Sequence, residues 1–330
     1  MWDFSISRSI GFMIQTMPFL LLRLAVYGAI AIAYVLIAGV GSGIGYGVAS
    51  VGDPASGAGG ALIGGFVGFS IVGAVMFWAR EYLLYLVKAG HIAVLVELID
   101  GKTLPAGKGQ VEHGKDVVRE RFAQASALFA LDVLVKGALR SLTGLVGGLL
   151  SFLPGAKQLR NLLRAFLRVS VGFIDEVILA HAIRTNSDNA WGSAREALVL
   201  YGQNWKVLFR NAAWLLVIIY GLGFLIFLAM LVPASLLVYW MPGTLSIATL
   251  IFALLFAWCI KVAVLEPFAV ACLMQVYFQT IDGQQPDAQW DARLEQMSGH
   301  FRKLRSRALG IGVASAQDIA DKTAAQAKGQ

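Results

Sequence analysis

Long apolar runs alternating with charged, amphipathic stretches set the plan of this chain. Residues 19–40, FLLLRLAVYGAIAIAYVLIAGV, form a run long enough, at about 1.5 Å per helical residue, to cross about 30 Å of hydrocarbon. A second run covers 61–79 and stops at Arg80-Glu81, and Gly52-Asp53-Pro54 predicts a tight turn between the two. The pattern then becomes amphipathic as far as Leu98, where Ile99-Asp100-Gly101 reads as a helix terminator. Residues 211–232 and 244–265 form a second strong pair of runs, joined by a short uncharged connection with Pro233, Tyr239, Trp240 and Pro242. The expected fold is an all-α polytopic helical membrane protein built from two strong transmembrane hairpins and a charged, amphipathic middle hairpin.

The middle hairpin has a rising arm over 122–153, a turn at Pro154-Gly155 and a falling arm over 157–184. The rising arm carries Asp132, Lys136 and Arg140 at steps of four, so Asp132 and Lys136 can pair on one helix face. On the falling arm, Lys157, Arg160, Arg164 and Arg168 fall within an arc of about 80°. Leu159, Leu163, Phe166, Leu167 and Ile174 lie outside that arc. Such a basic stripe fits a surface helix with its arginines among anionic headgroups. It equally fits a helix turned toward the interior of a membrane assembly, where ionisable residues mark a path. Asp132, Lys136, Arg140, Arg160, Arg164, Arg168 and Asp175 are therefore the candidate pathway or lipid-binding residues.

The two strong hairpins share an order of features that suggests an internal repeat. The same number of positions separates Arg8 from Arg23 as separates Arg195 from Arg210, and the exits VELIDGKTLP and FQTIDGQQPD resemble one another. The chain divides into 1–101, a first hairpin unit with a glycine-rich turn; 102–190, the middle hairpin; 191–307, the second hairpin unit; and 308–330. This last segment, rich in Ala, Gln, Lys and Gly, has too little apolar content to pack and is expected to be disordered.

Composition strengthens the membrane assignment: 58% of the 330 residues are hydrophobic, 14% are charged, and mean hydropathy is +0.69. The net charge of +7 comes from basic residues that flank apolar runs, which points to orientation in a membrane and away from nucleic acid. No Lys or Arg lies between Arg23 and Arg80 or between Arg210 and Lys261. Both hairpin tips are thus expected on the translocated side of an inner (plasma) membrane, with the N- and C-termini cytoplasmic. Arg23, near the start of its run, is expected to snorkel, and the first run is expected to stay as an uncleaved span.

Gly39, Gly43 and Gly47, and likewise Gly60, Gly64 and Gly68, are spaced by four and offer flat faces for close helix packing, within the chain or in a homo-oligomer. No metal or cofactor is expected, because the four histidines are dispersed and Gly101-Lys102-Thr103 lacks the earlier glycine of a phosphate loop. Cys259 and Cys272 are expected to pack as small hydrophobes. No Ser-His-Asp or paired-carboxylate arrangement can be placed, so an enzyme is not expected. Trp214, Tyr220 and Trp258 are candidates for an aromatic cage around an organic cation.

The stretch 173–216 holds Asn189-Ala190, Ser193-Ala194 and Asn204 around a helix break, and it resembles a segment of the choline transporter-like family. The final exit, Glu266 to Asp282 followed by Gly283, is similar to how that family leaves its last span, and the resemblance implies movement of choline or ethanolamine. The expected function is a transporter or channel-like protein for a small organic cation or other small solute, with its path along the middle hairpin. The alternative is a non-transporting membrane scaffold whose basic helices bind anionic lipid or a cytoplasmic partner.

Overall fold

A computed structural model of the protein describes residues 2–79, 84–104, 109–122, 130–141, 173–185, 189–239 and 246–310. Among them every regular element is helical, and four stretches are long and apolar enough to cross a membrane: Met17–Val51, Pro54–Met76, Trp205–Tyr239 and Ala248–Thr280. The protein is an all-α polytopic membrane protein, as its hydropathy pattern predicts.

The chain runs through α1 (Ile6–Gln15), α2 (Met17–Gly52), a 3-10 turn (Pro54–Ser56), α3 (Gly57–Ala79), α4 (Tyr85–Ile99) and α5 (Gln110–Phe122). There follow α6 (130–141), α7 (173–184), α8 (Ala190–Gln203), α9 (Trp205–Tyr239) and α10 (Ser246–Ile260). A π-helical turn (Lys261–Leu265), α11 (Glu266–Thr280), α12 (Ala288–Met297) and α13 (299–310) complete it. The helix of α13 runs into the segment expected to be disordered, and residues 311–330 lie outside the described residues.

The order α1–α4 recurs in α8–α11. A short approach helix breaks at one residue, Thr16 or Asn204, before a long span. A π-helical turn follows α10 at Lys261–Leu265, and Leu84, just before α4, is also π-helical. Each exit helix then ends in Ile-Asp-Gly with the glycine in the left-handed region, Gly101 at φ 73° and Gly283 at φ 68°. Only glycine adopts that conformation without strain, which is why both exits stop there.

Two compact units are assembled from non-contiguous segments. The packed unit comprises the described residues of Met1–Phe12, Lys88–Leu216 and Val270–Gln330, and the hairpin unit those of Met13–Val87 and Val217–Ala269.

The hairpin unit exposes its apolar residues. The most apolar windows of the four spans are only 17% to 33% buried, and Val48, Val51, Ile63 and Phe66 are among the most exposed side chains. At about 1.5 Å per residue, the 36 residues of α2 extend about 54 Å, well beyond the hydrocarbon thickness. The turn to α3 is fixed by Asp53, whose side chain accepts from the Ala55 N–H, with Pro54 opening the 3-10 turn.

Glycines let α2 and α3 touch backbone to backbone. A Cβ on Gly41 would stand 2.3 Å from the Gly64 carbonyl oxygen, one on Gly45 would stand 2.1 Å from that of Gly60, and one on Gly68 would stand 2.4 Å from that of Ile37. Gly60, Gly64 and Gly68 therefore pack as their spacing predicts. On α2, however, the contact uses Gly41 and Gly45, whereas Gly43 and Gly47 meet nothing within 4 Å. The two rows interleave, and a two-residue offset turns about 200° around the helix, placing Gly43 and Gly47 on the other side.

The π turn follows from Glu266-Pro267. The Glu266 N–H bonds to the Lys261 carbonyl, five residues back. Continuing that pattern, the Val262 carbonyl would accept from residue 267, but proline has no N–H. Arg23 supplies the missing donor: its Nη2 donates to the Val262 oxygen at 3.2 Å. The side chain is buried at 2% exposure, so Arg23 does not snorkel as expected but turns inward to a carbonyl that apolar surroundings could not satisfy.

The packed unit is built the opposite way. Every residue from Ala89 to Val96 in α4, from 173 to 183 in α7 and from Val270 to Phe278 in α11 is buried, as expected of helices surrounded by protein. Its peripheral helices are one-sided: α13 buries Phe301, Leu304 and Ala308 and exposes Arg302, Lys303 and Arg307.

Candidate functional site

The charges of the middle hairpin meet in the packed unit. Lys136 on α6 donates to Asp132 Oδ2 at 2.6 Å, one turn away, and lies 3.3 Å from Asp175 Oδ2 on α7. Next along α7, Glu176 pairs with Lys88 on α4. Asp132, Asp175 and Glu176 are all buried, and Lys136 is partly exposed. The expected Asp132–Lys136 pair is thus one edge of a cluster that joins three helices. Arg140 lies one turn beyond Lys136 and is exposed.

Burial and charge oppose one another in this cluster. Burial pushes the Asp175 carboxyl up to about 7, even against the pull of Lys136 and Lys88, with Glu176 and Asp132 adding like charge. Its Oδ1 is buried and has no hydrogen-bond partner among the described residues. Burial also disfavours the Lys136 ammonium, but Asp175 and Asp132 outweigh it and hold its pKa above the usual lysine value. A shared proton inventory of this kind stabilises the fold only while the groups stay together, since a lone buried charge costs several kcal/mol.

Further polar contacts tie the same unit together. Arg184 pairs with Asp100 at 2.7 Å in the α4 exit and stands 4.3 Å over the Phe278 ring. His181 Nδ1 lies 3.2 Å from the Tyr277 hydroxyl, which donates to the Ala197 carbonyl. Burial, with Arg184 nearby, lowers the His181 pKa to about 4, so its ring is neutral near pH 7. At the start of α9, Asn211 donates to Asp3 Oδ2 and accepts from the Asp3 N–H, both at 2.7 Å, and Arg210 also pairs with Asp3. The Asn211 hydrogen bond holds the Asp3 carboxyl below its ordinary value; burial opposes it and Arg210 adds to it.

Of the candidate pathway residues, then, Asp132, Lys136 and Asp175 come together, and Arg140 is exposed. Arg160, Arg164 and Arg168 lie outside the described residues. The aromatic-cage candidates are engaged separately. Trp214 packs edge-on against Trp2 at 5.6 Å, Tyr220 faces Lys261 at 5.3 Å, and Trp258 meets Tyr27 edge-on at 5.7 Å. Both cysteines are free and buried, consistent with their expected role as small hydrophobes.

Lys88 and Glu176 escaped the sequence reading. The available signal was Asp175-Glu176, two acids within the otherwise apolar FIDEVILAHAI, a pattern that calls for buried cations elsewhere. Asn189 and Asn204, which carry the family resemblance, have local structural tasks. Asn189 caps α8 through the Gly192 N–H, and Asn204 forms the break before α9, its Nδ2 donating to the Leu200 carbonyl. No family model, no curated protein and no solved structure matches this chain.

Proposed function

We propose that this protein is a membrane scaffold: its two hairpins hold it in the bilayer, and its packed unit presents basic helices to anionic lipid. The observation that carries this reading is the ion-pair cluster of Lys136, Asp132, Asp175, Lys88 and Glu176. Groups that satisfy one another in a packed core are fastening helices and leave little charge for a moving solute. The exposed Arg302, Lys303 and Arg307 of α13, with Lys115 and Arg119 of α5, supply the basic surface. The absence of Lys and Arg around both hairpin tips supports cytoplasmic termini in an inner membrane.

Two measurements test this proposal together. Phosphatidylglycerol should raise the thermal stability of the purified protein more than phosphatidylcholine does, and high salt should abolish the difference. Arg302→Gln, Lys303→Gln and Arg307→Gln together should reduce it. Proteoliposomes should pass choline no faster than empty vesicles. The competing transport reading draws on Arg23, an ionisable residue buried in the hairpin unit. Choline flux that disappears in Arg23→Leu would favour it and sink the scaffold proposal.

A further inference from the structure

The N-terminal residues and the start of α9 form an amphipathic corner of the packed unit. Asp3 and Asn211 exchange two hydrogen bonds, the Asp3 N–H donating to Oδ1 and the Asn211 Nδ2 donating to the Asp3 Oδ2, both at 2.7 Å. These bonds hold the N-terminus against α9, where Arg210 and Trp214 stand one turn apart on one face. Trp2 stacks on Phe4 at 5.6 Å and meets Trp214 edge-on at 5.6 Å. Phe4 is buried, whereas Trp2 and Trp214 are 39% and 40% exposed. Each indole thus lies partly in the protein and partly outside it, as rings at a membrane boundary do.

The length of α9 puts this corner among lipid headgroups. Tyr239, its last residue, is exposed, and tyrosine favours the boundary between membrane and water. At about 1.5 Å per residue, Trp214 lies about 37 Å along the helix from Tyr239 and Arg210 about 43 Å. A bilayer has about 30 Å of hydrocarbon within about 40–45 Å of total thickness. With Tyr239 at one boundary, Trp214 reaches the other and Arg210 the headgroup layer beyond it.

Charge in the corner matches a zwitterion. Arg210 pairs with Asp3, yet the two side chains remain 51% and 42% exposed, so both can be reached from outside. The pair engages only Nη2 of Arg210, and both side-chain bonds to Asp3 end on Oδ2. Among the described residues, the other guanidinium N–H groups and the Asp3 Oδ1 have no partner. We infer that this corner binds the headgroup of an ethanolamine phospholipid. The lipid phosphate accepts from the free N–H groups of Arg210, the primary ammonium donates to Asp3, and the indoles lie beside the glycerol esters. A choline headgroup carries the same charges but has no N–H to donate to Asp3, and a glycerol headgroup brings no cation. This inference rests on the membrane position of α9 and not on the basic surface of α13, so it stands apart from the scaffold proposal.

Native mass spectrometry of the full-length protein in detergent tests it, with phosphatidylethanolamine, its N-methyl and N,N-dimethyl derivatives and phosphatidylcholine as probes. The series keeps phosphate and charge while removing one N–H donor at a time. The first phosphatidylethanolamine should bind about tenfold more tightly than phosphatidylcholine, the worth of one hydrogen bond to a charged group, with the methylated lipids in between. Asp3→Asn keeps an oxygen for Asn211 and Arg210 and should abolish this preference without weakening phosphatidylcholine, whereas Asp3→Glu should retain it. Arg210→Gln should weaken all four lipids. The α13 variant with Arg302→Gln, Lys303→Gln and Arg307→Gln should leave the preference intact, which separates this corner from the surface of the scaffold proposal. Equal affinity for phosphatidylethanolamine and phosphatidylcholine in the wild type, or a preference that survives in a folded Asp3→Asn protein, would overturn the inference.

Discussion

The packed unit and the hairpin unit use apolar helices in opposite senses. Helix α4 carries Lys88, His91 and Glu97 yet buries every residue from Ala89 to Val96, whereas α2 and α3, almost free of charge, leave most of their surface outside the protein. Hydrophobicity alone would rank the hairpin unit as the better core. What separates the two is the company each keeps: α7 pairs its acids with Lys88 of α4 and Lys136 of α6 and sets His181 and Arg184 against α11, while α2 and α3 meet through glycine. A helix with paired charges belongs among other helices, and one without them can face lipid.

The sharpest way to break the contrast is to spoil the hairpin contact. A side chain on Gly64 would stand 2.0 Å from the Gly41 carbonyl oxygen, so Gly64→Leu should destabilise the hairpin by more than about 3 kcal/mol. Gly43→Leu should have little effect in the isolated chain, because nothing lies within 4 Å of that position. Thermal melts of both variants in detergent check the pair. In the packed unit, Lys136→Met strands Asp132 and Asp175 and should cost about 3 kcal/mol, the low end for a buried pair because Lys136 is partly exposed. Val133→Ala, on the exposed side of α6, should stay within about 0.5 kcal/mol in the same melts.

The π turn offers a finer comparison inside the hairpin unit. Arg23→Leu leaves the Val262 carbonyl without its donor and should cost about 1–3 kcal/mol. Pro267→Ala restores a backbone N–H at the turn, so the double variant should lose less than the sum of the two, with a coupling of about 1 kcal/mol. Additive losses in a thermal double-mutant cycle would separate the arginine from the turn.

The smallest expected effect is one of pH. Asp175 has its folded pKa raised to about 7, above the unfolded value of 3.8. Such a carboxyl contributes stability that is complete below its unfolded value and lost as pH rises through about 7. Asp175→Asn should therefore gain melting temperature relative to wild type as pH rises from about 4 to about 7, the interval between the unfolded and folded values. An unchanged difference across that range would remove Asp175 from the account.

Much of this architecture is legible in sequence because it is local. The turn at Asp53-Pro54, the glycine stops at Gly101 and Gly283 and the lengths of the four spans each depend on a few neighbouring residues. The glycine register was not legible: 39, 41, 43, 45 and 47 are all glycine, two four-spaced rows fit the sequence equally, and only the position of α3 selects Gly41 and Gly45. The charge cluster was half legible. Asp132 and Lys136 announce themselves by spacing, but Asp175, Glu176 and Lys88 join them only through helix packing that brings distant segments together. The inward turn of Arg23 is hidden for the same reason, since its acceptor is created by Pro267, far along the chain.

The scaffold proposal requires the charged α6 to lie in water rather than in lipid. Cysteine accessibility in nanodiscs tests it most directly, using a background with Cys259 and Cys272, both buried, replaced by alanine. Val133→Cys and Arg140→Cys, on the exposed side of α6, should react with a membrane-impermeant maleimide as fast as Lys303→Cys on α13. Phe66→Cys and Val217→Cys, exposed on the hairpin unit, should resist it and be reached only by a lipid-soluble reagent. Protection of positions 133 and 140 to the level of 66 and 217 would place α6 in the bilayer and contradict the account.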